Sequence, residues 1–318
     1  MSDAVHMLIP FAYSDSEGCT RALRELALPQ LERLVARLTP AGTDAGDESS
    51  LSTPHERVLA QAFGLAAADG RIPWAAWQVR EAGGDTRAAA WARITPCHWR
   101  VETDHIAMGH PQDLQLDPHD SQAMLAAMRP FFEQDGIALE YHAPTLWLAR
   151  GEVFRDLATA SLDRVAGRTV DRWMPRAEAA KTVRRLQQEM QMLLYTHESN
   201  EERLRRGQLP VNSFWVSGTG ALPASHRNGP PPGLQINHTL RDAALQEDWR
   251  GWAAAWRQLD AGECARLAHA LDRGEPASLT LCGERKAKTW SGHGAEGMLR
   301  RIGRLFSQPG ASSFLQDL

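Results

Sequence analysis

Short apolar runs alternate along this chain with longer amphipathic stretches, and that alternation most narrows the folds open to it. The first run is "HMLIPFA" (His6 to Ala12) and the last is "ASLTLCGER" (Ala277 to Arg285). Runs of this length suit buried strands. The stretches between them repeat apolar residues at three- and four-residue intervals, the period of a helix with one buried face. Strands interleaved with helices predict an α/β fold with helices packed on the faces of a sheet. Two central hairpins exclude a purely parallel sheet, so the sheet is expected to be mixed. No internal repeat divides the chain, and one α/β domain over residues 1–318 is expected.

The local signals place most elements. In "CTRALRELALPQLERLVARL", Pro29 interrupts a helical stripe. "TPAGTDAGDESSLST" (39–53) reads as a flexible polar linker. Thr53, Pro54 and Glu56 then supply an N-cap, a first-turn proline and a capping-box acid for a new helix. "ARITPCHWRV" and "DHIAMG" read as two strands joined near Glu102 and Thr103, and "IALEYHA" and "TLWLAR" as a hairpin around Pro144. A helix cap falls near Asp117 and Asp120. The clearest helix runs from Glu178 to His197, with Val183, Leu186, Met190, Leu193 and Leu194 on one stripe. The 223–233 stretch, "PASHRNGPPPG", is a loop. Trp249, Trp252 and Trp256 recur at i, i+3 and i+7 on a later helix. "GAEGMLRRIGRLFSQ" reads as a final amphipathic helix.

In open α/β sheets, ligands collect at the carboxyl ends of strands. Four such ends are available: 13–17, the Cys97–His110 region, Ser217–Gly220 and 283–286. "VNSFWVSGTG" offers the amide of Asn212, the hydroxyls of Ser213, Ser217 and Thr219, and backbone N–H groups at Gly218. It lacks the GK[ST] of a phosphate loop, so it reads either as a ligand cradle or as a turn closing a core strand. Glu284 and Arg285, followed by Lys286 and Lys288, read either as a site for an anionic ligand or as surface ion pairs. His98, Asp104 and His105 are metal-ligand types, although their spacing fits neither a zinc finger nor HExxH. No catalytic residue can be named, and a divalent metal is expected only if the chain is an enzyme.

Composition closes several alternatives. Lysine plus arginine number 35 against 39 acidic residues, for a net charge of −4, which lacks the basic excess of a nucleic-acid binder. The arginines at 184, 185, 203, 205 and 206 are expected on solvated helix faces. No long apolar run predicts a membrane span. The four cysteines form no CxxC pair and no secretory signal opens the chain, so reduced thiols and a cytoplasmic location are expected. Cys282, inside an apolar run, reads as an inert buried thiol. Eleven tryptophans imply a core with many indole N–H groups to satisfy.

Five blocks in order, "TPCHWRVETDHIAM", "LDRVAGRTVDRWMP", "RRLQQEMQMLLYTH", "PVNSFWVSGTG" and "LTLCGER", resemble the RpfE-type regulatory proteins of proteobacteria. Members of that family often carry the label cofactor-independent phosphoglycerate mutase. The resemblance spans roughly residues 5 to 290 and implies a cytoplasmic regulatory or binding protein, with a small anionic ligand or a protein as partner. The mutase label implies an alkaline-phosphatase-like fold and, as the alternative function, a mutase-like or phosphatase-like metalloenzyme. That chemistry needs clustered carboxylates and histidines around two metal ions. Asn212-Ser213 lacks the Glu and Gly-His that follow the mutase serine, and His293-Gly294 is preceded by Gly292 rather than Asp. Asp15 stands where a first-strand acid would. No mutase residue is carried over.

Overall fold

Strand and helix alternate as the periodicity predicts. A computed structural model describes residues 5–86, 89–224, 226–227, 229–292 and 310–318. In chain order come β1 (Val5–Ile9), α1 (Glu17–Arg24), α2 (Pro29–Arg37), β2 (Thr39–Ala45), α3 (Pro54–Phe63), α4 (Trp74–Glu81), β3 (Trp91–Cys97), β4 (Trp99–Val101) and β5 (Ile106–Met108). Next are α5 (Pro118–Gln134), β6 (Ala138–Ala143), β7 (Leu146–Arg150), α6 (Leu162–Val165), α7 (Lys181–Tyr195), α8 (Glu198–Arg205) and β8 (Ser213–Gly220). The last are β9 (Leu234–Ile236), α9 (Arg241–Leu245), α10 (Trp249–Leu259), α11 (Ala265–Asp272), β10 (Ala277–Cys282), β11 (Lys286–Gly292) and α12 (Ala311–Leu315). The amphipathic stretch expected at 294–308 lies outside the described residues.

The chain divides into two compact units. The first holds the residues up to Ser49, Thr53–Ala62, and those from Pro230 onward; the second holds Ser50–Ser52 and Phe63–Gly229. The first unit carries a five-stranded mixed sheet in the order β2-β11-β10-β1-β9. β1 is parallel to both β9 and β10, while β11 runs antiparallel to β10 and β2. Met7, Ile9, Leu279, Leu281 and Trp290 face a core shared with Leu23, Leu31, Leu34, Trp252, Trp256 and Leu267. Burying each such side chain contributes about 1.5–3 kcal/mol.

One feature of this unit departs from the sequence reading. The 39–53 stretch is not all linker: Thr39–Ala45 is an edge strand on β11. Its side chains are almost all exposed, so backbone pairing forms the strand without any apolar alternation to announce it. Pro29 breaks the helical stripe as expected and opens α2, because it supplies the first-turn position where no N–H is needed. The cap for α2 comes from far away. Between α10 and α11 the helix widens into a π segment, Asp260–Cys264, and Asp260 accepts hydrogen bonds from the N–H groups of Leu31 (2.7 Å) and Gln30 (3.3 Å). Burial pushes the Asp260 pKa up, against those two bonds.

The second unit carries an antiparallel sheet, β6-β7-β3-β8, and a two-stranded β4-β5 hairpin. "ARITPCHWRV" is thus two strands, broken at His98. Ile94, Trp147, Phe214 and Val216 pack with Met124, Met128 and Phe132 of α5 and with Val183, Leu186, Met190 and Leu194 of α7. Leu193, expected on the same stripe, is only partly buried. Asp117 caps α5 by accepting the Asp120 N–H at 2.9 Å. Arg203, expected on a solvated face, is fully buried. Its guanidinium donates to Leu209 O, Leu114 O and Asp120, and burial lowers its pKa. A helical period cannot distinguish a solvated arginine from one folded back onto carbonyl groups. The four cysteines are free and buried, and no helix among the described residues is long and apolar enough to cross a membrane.

Met190 is fully buried in this core. Met190→Asp places an unpaired charge there and is expected to lower unfolding free energy by about 3–5 kcal/mol. Urea denaturation followed by circular dichroism measures it, and a parent-like midpoint refutes the assignment.

Candidate functional site

The glycine-containing stretch "SGTG" lies inside β8 and is not a loop beyond its end. Ser217 pairs with Arg93 and Gly220 with Trp91, so Gly218 and Thr219 together face the single residue Ala92. This is a β-bulge. Gly218 adopts φ +62°, and a Cβ there would lie 3.0 Å from Trp74 Cβ and 3.4 Å from Ala75 N. The glycine is required by backbone hand and by the close approach of α4. The polar groups nearby are largely spent internally. Thr219 is fully buried and donates to Leu157 O at 2.5 Å, with Thr159 Oγ1 at 3.1 Å. Asn212 clamps one residue in both directions: its Oδ1 accepts Trp99 N–H at 2.7 Å and its Nδ2 donates to Trp99 O at 2.8 Å. Ser217 is buried, and the buried Ser213 hydroxyl has no hydrogen-bond partner among the described residues.

The 97–110 segment does not gather its histidines. His98 Nδ1–H donates to Pro210 O at 2.9 Å. Exposed His105 meets Asp104 at 2.6 Å, a hydrogen bond that holds the Asp104 carboxyl below its usual range. Among the described residues, the one group of three with metal-ligand atoms in mutual reach is Asp117, His119 and Asp120. Two of its carboxylates are already engaged. Asp117 caps α5, and Asp120 takes Arg206 at 2.6 Å beside Arg203. His98, Asp104 and His105 are not among the groups of three whose ligand atoms lie in mutual reach. His293 and Glu296 lie outside the described residues.

The first unit brings two of the four expected strand ends together. Because β1 and β10 are parallel, their carboxyl ends lie side by side. The chain leaving β1 passes Phe11 and Ala12 and reaches Asp15, and Ser16 caps α1 by accepting the Cys19 N–H at 3.1 Å. The chain leaving β10 turns at Gly283, Glu284 and Arg285. Arg285 Nη2 meets Asp15 Oδ2 at 2.8 Å, with both side chains 43% exposed. The Arg285 carbonyl is fixed by Gly46 N–H (2.9 Å) and by Arg57 (3.1 Å), which also pairs with Asp44 at 2.6 Å. Gly283 N–H closes the turn on Lys286 O at 2.9 Å. Lys286 and Lys288 pair with Asp317. Behind it, burial, with added repulsion from Glu284 and Asp15, pushes the Cys19 thiol up to about 12. Cys282 is raised by burial as well, as expected of an inert thiol. Asp15 was missed as a partner of Arg285, since only the pairing of β1 with β10 joins positions so far apart in sequence.

No family model matches the chain, and no curated protein sequence matches it. Among solved structures, the cofactor-independent phosphoglycerate mutase from Thermoplasma acidophilum DSM 1728 is similar at 12% identity over 98% of each chain, with a TM-score of 0.36. The PH0037 protein from Pyrococcus horikoshii is similar at 12% identity over 92% of this chain and 88% of that one, with a TM-score of 0.42. Neither superposition is close enough to transfer a residue, a metal or an activity. The mixed α/β assignment rests on the strand order itself.

Gly218→Val sets a β-branched residue in the left-handed region against α4. The strain alone costs about 1–3 kcal/mol. Urea unfolding of the variant is expected to show at least that loss, with Gly218→Ala losing less; a variant as stable as the parent would show that the bulge does not need its glycine.

Proposed function

We propose that this chain is a cytoplasmic regulatory protein of the RpfE type that binds a small anionic ligand, with Arg285 as the recognising cation. The half-exposed Arg285–Asp15 pair at the carboxyl ends of β10 and β1 carries this reading. Ligands of α/β proteins favour such strand ends. A guanidinium offers several N–H donors in a planar fork suited to phosphate or carboxylate. An exposed ion pair contributes only about 0–1 kcal/mol, so an incoming anion displaces Asp15 at little cost. The backbone of the turn is meanwhile fixed through the Arg285 carbonyl, which leaves only the side chain to adjust.

A second reading, a phosphomutase-like metalloenzyme, is favoured by one observation: Asp15 and Glu284 both bear on the Cys19 thiol, so two carboxylates share this strand end. They would hold a divalent cation, which supplies charge neutralisation to a phosphoryl group. Among the described residues, no third metal-ligand group completes that set here.

Calorimetric titration with inorganic phosphate and 3-phosphoglycerate, with and without manganese, separates the readings. The parent is expected to bind phosphate. Arg285→Met should weaken binding by about tenfold or more, as loss of a charge-assisted contact does. Asp15→Asn should tighten binding about threefold by removing the competing carboxylate. No interconversion of 2- and 3-phosphoglycerate is expected. Manganese-dependent turnover that Asp15→Asn abolishes selects the enzyme reading, and absence of phosphate binding by the parent refutes the first.

A further inference from the structure

The tryptophans at 249, 252 and 256 all grip the segment that leads from β1 to Asp15 and on into α1. Trp252 Nε1–H donates to Phe11 O at 2.9 Å, and Trp256 Nε1–H donates to Ala12 O at 3.2 Å. The Trp249 ring lies so close to Gly18 that a Cβ there would collide with it. The three rings stand edge to face in sequence, the centroids of each neighbouring pair 6.2 Å apart.

The gripped segment contains a strained residue. Phe11 has φ +56°, a left-handed conformation that bulky side chains rarely adopt. Such a residue persists only where its surroundings over-determine it. Here Trp252 holds its carbonyl, Ala12 N–H is tied to Cys282 O at 2.8 Å, and the Phe11 ring packs on His55 at 5.6 Å. Asp15, beyond this bend, meets Arg285.

We infer that Trp249, Trp252 and Trp256 are positioning residues: they hold the 11–18 segment so that Asp15 occupies Arg285, and so set how readily an anion reaches that guanidinium. The inference rests on the anion-binding reading above. The i, i+3, i+7 spacing follows from it, because a helix presents one face to a segment only at that period. The strain at Phe11 follows too, since releasing Trp252 from its carbonyl removes one of the constraints that keep the bend.

A double-mutant cycle tests this with inorganic phosphate as the probe. Trp252→Phe keeps a ring but deletes the N–H. It is expected to tighten phosphate binding roughly threefold, as Asp15→Asn does, and to add nothing in the Asp15→Asn background. A side chain that merely fills the core would not show this loss of additivity. If Trp252→Phe binds phosphate like the parent while Asp15→Asn binds more tightly, or if the two effects add, the inference fails and the anion site stands. If the parent binds no phosphate, the anion reading fails, and amide hydrogen exchange judges the positioning alone. Ala12 and Ser16 should then exchange at least about tenfold faster in Trp252→Phe, with Thr280 and Thr289 unchanged. Parent-like exchange at Ala12 and Ser16 overturns the inference. Trp256→Phe, which deletes the longer bond, serves the same cycle should Trp252→Phe fail to fold.

Discussion

The first unit depends on β1 being hydrogen-bonded on both sides by strands from the far end of the chain. β9 and β10 flank it, both parallel to it. A polar ladder crosses the same sheet: His6 Nε2 lies 2.8 Å from Thr280 Oγ1, across a separation of 274 residues, and Thr280 lies 2.7 Å from Thr289. Parallel partners cannot be joined by a tight turn, so a long connection is unavoidable. Here the connection contains the whole second unit. The entropic cost of closing a loop grows only slowly with its length, by about 0.6 kcal/mol per doubling. The return is a central strand with Met7, Leu8 and Ile9 almost completely buried, as strands covered on both faces require.

The same pairing creates the candidate site. Parallel neighbours end on the same side, so Asp15 and Arg285 meet without being near in sequence. The contrast with other charged groups is instructive. Arg203 and Asp120 are buried and saturated, and Arg185 is tied to Glu189 and Asp135 along exposed helix surface. Arg285 combines a fixed carbonyl with a half-exposed side chain, the combination a ligand can exploit.

Tryptophan is used in two ways. Trp147, Trp215, Trp252 and Trp256 are fully buried and spend their N–H groups on Ser121 Oγ, Ala160 O, Phe11 O and Ala12 O. Each ring therefore fills volume and fixes one oxygen, which makes the indole a positional constraint as well as an apolar one. Trp74 and Trp77 instead stand edge to face with each other and with Phe63, and their N–H groups have no hydrogen-bond partner among the described residues.

The sequence by itself determined the elements whose side chains carry a period: β1, β10, the α7 stripe, the β6-β7 hairpin and the capped start of α5. It also marked the two strand ends that β1 and β10 bring together, because strand position and polar residue type are local properties. Tertiary structure alone decided the rest. Thr39–Ala45 is a strand only because β11 offers it backbone partners. "SGTG" is a bulge only because β3 and α4 close on it, and its glycines look the same in sequence whether they cradle a ligand or admit a neighbouring helix. Asp260 caps a helix more than two hundred residues away. Asp15 acquires its partner through a sheet register. Pairings between distant segments are set by the summed burial and hydrogen bonding of whole elements, and no window of sequence contains both members.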